Sequence, residues 1–259
     1  MADLPVTGPR TQASADPSTA PARYGRRRRR PPPSDTARYA RLSSVTGLVF
    51  ATLFVLSLVF VHSSPGLGAT DADFTAFYDS NSTALVTTGL YLVPFAGIAF
   101  LWHMNATRLL IRTRTPSPAA IPDGLQLLAG ILFVALLFAG TAAAGSVALL
   151  KDLTGGPLPS VDVQRGLLAL GYGMVFVYAV RGAGMYAITT TTLLMHAGVL
   201  PRWLAVLGYL LSTFLLLSTT LNPVVVLMFP GWAVLVGVVV FLRSGRLPSP
   251  TTSQKVQPA

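Results

Sequence analysis

Residues 125–150 read LQLLAGILFVALLFAGTAAAGSVALL, a run without a single charged side chain. A helix of this length rises about 39 Å, which is enough to cross about 30 Å of hydrocarbon. Inside a bilayer only helices and closed barrels satisfy their own backbone hydrogen bonds, and runs this long are not typical of barrel strands. The stretch therefore predicts a membrane-spanning helix.

Similar apolar runs recur along the chain, and together they predict an all-α polytopic bundle of about six spanning helices within residues 42–243. The composition agrees, because 52% of the residues are hydrophobic and only 11% are charged. The long connection over 63–82 leaves room for a short interfacial helix. The predicted spans cover residues 43–62, 83–103, 125–150, 166–195, 201–221 and 223–242.

Both ends of the chain are predicted to be disordered tails. Residues 1–41 are rich in Pro and Arg and lack apolar periodicity, and residues 244–259 share this polar character. A polybasic segment next to a spanning helix is attracted to anionic lipid headgroups. The residues predicted to contact the inner leaflet are Arg26, Arg27, Arg28, Arg29 and Arg30.

Charged residues on the connections predict the orientation. The first connection carries Asp71, Asp73 and Asp79 without Lys or Arg, whereas basic residues follow the second and fourth spans. By the positive-inside rule this pattern predicts a bacterial cytoplasmic membrane protein with both termini cytoplasmic. The net charge of +10 is then a consequence of orientation, and no nucleic-acid partner is expected.

Catalytic and metal-binding machinery is not expected from this sequence. The chain has no Cys, which excludes thiolate nucleophiles and Cys-ligated metals. His62, His103 and His196 all lie near predicted span ends, which leaves no base for an intramembrane serine nucleophile and no axial haem ligands. A metal between the two inner histidines would lack further ligands. We therefore predict a non-enzymatic protein without a cofactor or metal.

Arg181 is the one ionisable residue near the centre of a predicted span, about 20 Å from both ends of that helix. No Asp or Glu lies within the six spans, so its guanidinium needs another partner. One hypothesis is an anion site formed with Tyr178 and Tyr172. The other is a structural role, in which Arg181 bonds to those tyrosines and to facing carbonyl groups.

Small residues and prolines predict how the helices pack and bend. Gly140 and Ala144 in the third span favour close packing against the fourth span, with homodimerisation as the alternative. Pro94, and the pair Pro230 and Gly231, predict kinks in the second and sixth spans.

Three stretches carry a family resemblance: GLYLVPFAGIAFLW at residues 89–102, RGAGM at 181–185 and GVLPRWL at 198–204. With them, the chain resembles small, uncharacterised bacterial multi-pass membrane proteins of unknown function. The resemblance implies a six-helix integral membrane protein and assigns no catalytic or binding residues.

Two functions of different classes follow from these observations. The first is a non-catalytic membrane component that interacts with lipid or protein partners and uses Arg181 in packing. The second is a small transporter or receptor in which Arg181 binds an anionic small molecule between helices kinked at Pro94 and Pro230.

Overall fold

The computed structural model describes residues 35–61, 64–80, 83–218 and 222–244, which form helices and connecting loops without a β-strand. Most of the predicted tails, including the five consecutive arginines, lie outside these residues. A π-helical segment, Gly173–Ala179, joins α5 to α6 into one continuous helix. The α-helices are α1 Asp35–Val61, α2 Asp71–Asp79, α3 Thr83–Arg114, α4 Ala120–Thr154, α5 Val161–Tyr172, α6 Val180–His196, α7 Arg202–Leu217 and α8 Pro223–Ser244.

Five helical stretches are long and apolar enough to cross a membrane, which supports the predicted multi-pass helical membrane protein. They are Asp35–Phe60, Val86–Arg114, Ala120–Thr154, Val161–His196 and Val224–Arg243. The remaining apolar helix, α7, has 16 residues and overlaps the predicted fifth span. It rises about 24 Å, less than a typical hydrocarbon thickness. A sixth span therefore stays a prediction.

The helix α2 occupies the connection in which the sequence left room for a short helix. Its first turn is closed by a capping box, in which the Thr70 hydroxyl and the Asp73 backbone amide meet at 3.2 Å and the Asp73 carboxylate accepts from the Thr70 amide at 2.9 Å. Phe74 and Tyr78 of this helix are buried in an apolar cluster that also contains Leu168 and Val86. A second, smaller apolar core thus attaches α2 to one end of the bundle, which we call the α2 end.

Aromatic side chains fill the main core of the bundle. Phe50 of α1 lies 5.1 Å from Phe100 of α3 between ring centroids, and Phe100 lies 5.1 Å from Phe133 of α4. Phe229 of α8 is 5.0 Å from Phe133, and Tyr186 of α6 is 5.0 Å from Phe100. Five helices therefore meet in one tightly packed aromatic cluster.

The closest approach between α4 and the α5–α6 helix occurs at two glycines. A Cβ atom added to Gly171 would lie 2.5 Å from the Gly140 carbonyl oxygen and 2.7 Å from the Ala144 Cβ atom. This contact confirms the predicted packing of the third span on the fourth through Gly140 and Ala144. Homodimerisation stays a prediction.

The backbone contains one left-handed glycine after α6 and prolines inside two helices. Gly198 follows α6 with a φ of 68°, a left-handed conformation that glycine adopts without steric cost. Pro94 and Pro230 lie inside α3 and α8, and Gly231 follows Pro230 in α8. The kinks at these positions stay predictions.

Candidate functional site

Arg181 lies between the charged ends of the neighbouring helix α4, nearer to Asp123 than to Lys151. The adjacent Gly182 is so close to α4 that an added Cβ would be 3.2 Å from the Phe133 amide nitrogen. Phe133 is about 15 Å along α4 from Asp123 and about 27 Å from Lys151. Arg181 therefore lies within the length of α4, and its depth in the membrane stays a prediction.

The contacts of Arg181 are few. Its Nη1 donates a short hydrogen bond to the carbonyl oxygen of Val177, one turn earlier in the same helix. The side chain is half-buried, and no ion pair involves it within the part of the chain that the structure describes. A guanidinium has five donors, so a single backbone carbonyl leaves most of its capacity unused.

The two predicted partners of Arg181 lie elsewhere. Tyr178 is 59% exposed and points away from the core, and Tyr172 packs edge-to-face with Phe176, with ring centroids 5.3 Å apart. Neither tyrosine hydrogen-bonds to Arg181 among the described contacts. Tyr172 instead lines an apolar cavity of about 40 Å³ beside Phe54. The structure therefore places the three predicted site residues in different surroundings.

A polar site that the sequence did not reveal lies between α1 and α3. His103 is fully buried, and its Nδ1 lies 2.8 Å from the Ser43 carbonyl oxygen, so Nδ1 carries the proton. The Thr107 hydroxyl donates to the His103 carbonyl at 2.8 Å. The Ser43 hydroxyl, 2.8 Å away, must then donate to Thr107 Oγ1. These bonds join the two helices without exposing a polar atom to lipid.

A further buried bond connects α4 to α6. Gln126 Nε2 donates to Thr190 Oγ1 at 2.8 Å, and both residues are completely buried. Beside it, Asp123 accepts from Arg108 at 2.7 Å and from Arg112 at 3.2 Å. The Arg108 and Asp123 side chains are only 12% and 17% exposed. We call this region the Arg108 end; the buried Arg108 has its counter-charge within the chain.

One sequence signal could have indicated the Arg108 end. His103 and Thr107 are one helical turn apart, and Arg108 follows directly, so polar residues share one face of an otherwise apolar helix. The predicted second span stopped at residue 103, whereas α3 continues to Arg114. The extended helix places His103 inside the bundle instead of at its edge.

The other two histidines lie in different places from the buried His103. His62 lies outside the described residues. His196 is exposed at the end of α6, where its Nδ1 lies 2.7 Å from the Thr192 carbonyl oxygen. Over the described ranges, no cluster of three or more potential metal-ligating side chains occurs.

The α2 end contains its own set of charged contacts. Arg165 of α5 lies over the Phe74 ring at 5.2 Å and pairs with Asp71 at 2.8 Å. Hydrogen bonds from the Thr70 side chain and backbone lower the pKa of Asp73 below its usual range. Burial raises the pKa of Tyr78. These contacts fix α2 against α5.

The fold defines this chain as a helical, multi-pass membrane protein. Comparison with protein-family models, with curated proteins and with solved structures finds no match to it. Its function is therefore inferred from its own residues.

Proposed function

We propose that this chain is a non-catalytic component of the bacterial cytoplasmic membrane, and that it assembles with a second membrane protein through Arg181. In this assembly a spanning helix of the partner supplies a carboxylate to the guanidinium. The observation that carries the proposal is that Arg181, inside a helix long and apolar enough to span a membrane, has one carbonyl of its own helix as hydrogen-bond acceptor.

An uncompensated guanidinium near the middle of a spanning helix is costly. An arginine at the centre of a spanning helix costs about 2.5–3.5 kcal/mol on the insertion scale. One carbonyl offsets part of this cost, whereas a carboxylate accepts two parallel N–H bonds and neutralises the charge. A complex with a partner whose carboxylate lies at the same depth therefore gains most of its stabilisation from the pairing with Arg181.

A second copy of this chain does not supply that carboxylate. All nine acidic residues are Asp, and none occurs after Asp162. The acid nearest in depth, Asp123, is about 15 Å away along α4 and already bonds Arg108 and Arg112. Charge complementarity thus favours a different protein over homodimerisation.

The surface around Arg181 suits a helix as its occupant. Tyr178 and Met185 lie one turn on either side of it and are 59% and 37% exposed. Both side chains offer exposed apolar surface close to Arg181 in the sequence. The alternative, an anionic small molecule, has less support, since none of the five cavities described includes Arg181 in its lining.

We also propose an orientation of the chain in the membrane and a contact of its basic segment with lipid. Six spans place both termini in the cytoplasm, and Arg26–Arg30 lie against anionic headgroups of the inner leaflet. Because the chain has no Cys, single cysteines report orientation directly. A cysteine at the exposed Thr75 should react with an impermeant thiol reagent on spheroplasts, and one at the exposed Ser117 only after lysis. The reverse pattern would overturn the orientation.

In-cell photo-crosslinking tests the assembly. A photo-reactive phenylalanine analogue at Tyr178 should give a discrete adduct with one membrane protein, and Arg181→Met should abolish it. The matched control is Leu132, which is 51% exposed on α4 at the depth of Phe133 and should crosslink to lipid alone.

The partner must also meet a chemical criterion. It should carry an Asp or Glu in a spanning segment, and its replacement by Asn or Gln should remove the adduct as Arg181→Met does. An adduct that survives Arg181→Met, or lipid adducts alone at Tyr178, would refute the proposal. Loss of the adduct on addition of a small anion would support the ligand alternative instead.

A further inference from the structure

A polar cleft opens at the α2 end, between α2 and the loop that joins α4 to α5. Its volume is about 530 Å³, within the range of small-molecule sites. It lies apart from Arg181 and from the buried polar residues of the Arg108 end. The polar side chains that line it are Thr75, Tyr78, Asp79, Lys151, Ser160 and Gln164.

Two opposite charges in this cleft do not neutralise each other. Lys151 Nζ donates to the Ser80 carbonyl oxygen at 3.1 Å, which leaves two of its three N–H donors for other acceptors. Neither Lys151 nor Asp79 forms an ion pair within the described ranges. Both charges are therefore available to groups of opposite sign in a ligand.

Gln164 adds a fixed acceptor to the same wall. Its side chain is only 6% exposed, and its Nε2 donates to the Pro159 carbonyl at 2.8 Å. This bond sets the amide orientation, while Oε1 has no hydrogen-bond partner among the described residues. A buried carbonyl oxygen without a donor is costly, and a ligand N–H group can remove that cost.

The walls of the cleft are held in place before any ligand binds. The Arg165–Asp71 pair and the Thr70–Asp73 capping box fix α2, and Gly155, with φ of 59°, ends α4 at the start of the loop. Preorganised walls lower the conformational cost of binding.

We propose that this cleft binds a small zwitterion of the free amino-acid type. The ligand carboxylate lies against Lys151, and its ammonium group donates to Asp79 and Gln164. A molecule with only one charge would leave Asp79 or Lys151 without a counter-charge. The assignment is independent of the assembly proposed for Arg181, and each can fail without the other.

Thermal unfolding of the full-length protein in lipid nanodiscs tests this site. The common free amino acids are added one at a time, and at a tenfold excess over Kd a ligand should raise Tm by about 3–5 °C. The N-acetyl derivative and the methyl ester of the same amino acid, each lacking one charge, should raise Tm by less than a third as much.

Three variants connect the shift to the proposed contacts. Lys151→Met, Asp79→Asn and Gln164→Leu should each weaken binding about tenfold, the loss of about 1.4 kcal/mol typical of a charge-assisted hydrogen bond. Asp35→Asn, an exposed acid at the other end of the bundle, should leave binding unchanged. Absence of a Tm shift with every amino acid, equal shifts with the singly charged derivatives, or unchanged binding in the three variants would each overturn the assignment.

Discussion

Two arginines of this bundle, Arg108 and Arg181, have opposite surroundings. Arg108 bonds Asp123 at 2.7 Å, and that carboxylate also accepts from Arg112. Arg181 bonds one carbonyl of its own helix, with Tyr178 exposed beside it. The chain thus neutralises Arg108 with its own carboxylate, whereas Arg181 forms no ion pair among the described residues. Inside the bundle, polar groups connect helices; we propose that Arg181 instead connects the bundle to a partner.

The largest expected effect concerns the close contact that holds the Arg181 helix on α4. Gly171→Val should lower the free energy of unfolding by about 3 kcal/mol, because its Cβ would overlap the Gly140 carbonyl oxygen. Gly173→Ala is the matched control, since an added Cβ there meets no atom within 4 Å. Unfolding by SDS titration in mixed micelles measures both. Equal effects of the two variants would show that this contact does not hold α5 on α4.

The next largest effect concerns Arg108, whose counter-charge comes from the same chain. Asp123→Asn should lower the free energy of unfolding by about 1–3 kcal/mol, because Arg108 is 12% exposed and would lose its counter-charge. Asp162→Asn is the control, since that carboxylate is 94% exposed and lies 3.8 Å from Arg165. The same titration reports both variants. A loss no larger than that of the control would mean that Arg108 does not need Asp123.

A smaller effect isolates the hydrogen bond between α1 and α3. Thr107→Val should lower the free energy of unfolding by about 0.6 kcal/mol through loss of its bond with Ser43. Thr141→Val is the control, because the Thr141 hydroxyl bonds only carbonyls of its own helix, such as that of Leu137 at 2.6 Å. Indistinguishable variants would argue that the buried bond contributes nothing to packing.

The smallest effect is a pH dependence confined to α2. Hydrogen bonds from Thr70 lower the pKa of Asp73 in the folded helix relative to its ordinary value of 3.8. The contribution of the Asp73 carboxylate to the stability of α2 is therefore complete above pH 3.8. It is lost as the pH falls through the lowered pKa of Asp73. Amide hydrogen exchange of α2, corrected for intrinsic rates, should accelerate at low pH. The acceleration should be absent in Asp73→Asn, and its persistence there would exclude Asp73 as the cause.

Most of the fold could be predicted from hydropathy. Each predicted span overlaps a helix, because an apolar run of this length must satisfy its own backbone hydrogen bonds. The helix ends were less predictable: α3 continues eleven residues past the predicted end at 103, up to Arg114. Hydropathy marks the hydrocarbon boundary, and Arg and Thr allow a helix to continue beyond it.

The contacts of the candidate site could not be predicted from the sequence. Counting residues along the predicted helix placed Arg181 near its centre, and the structure adds that the neighbouring Gly182 packs against Phe133 of α4. The pairing of His103 with Ser43 joins residues sixty positions apart and follows from helix packing alone. The π-helical segment Gly173–Ala179 lies between Tyr172 and Arg181. It therefore changes the angle between these two side chains from the angle that a regular α-helix would give.

The stability of the isolated protein with and without the two arginines tests the central claim most directly. In lipid nanodiscs, Arg108→Met should lower Tm by several degrees, since it leaves Asp123 with Arg112 alone. Arg181→Met should leave Tm unchanged or raise it, because it removes a charge that the chain does not neutralise. If Arg181→Met instead lowered Tm as much as Arg108→Met, Arg181 would be a structural residue satisfied within the chain, and the proposed partner would lose its basis.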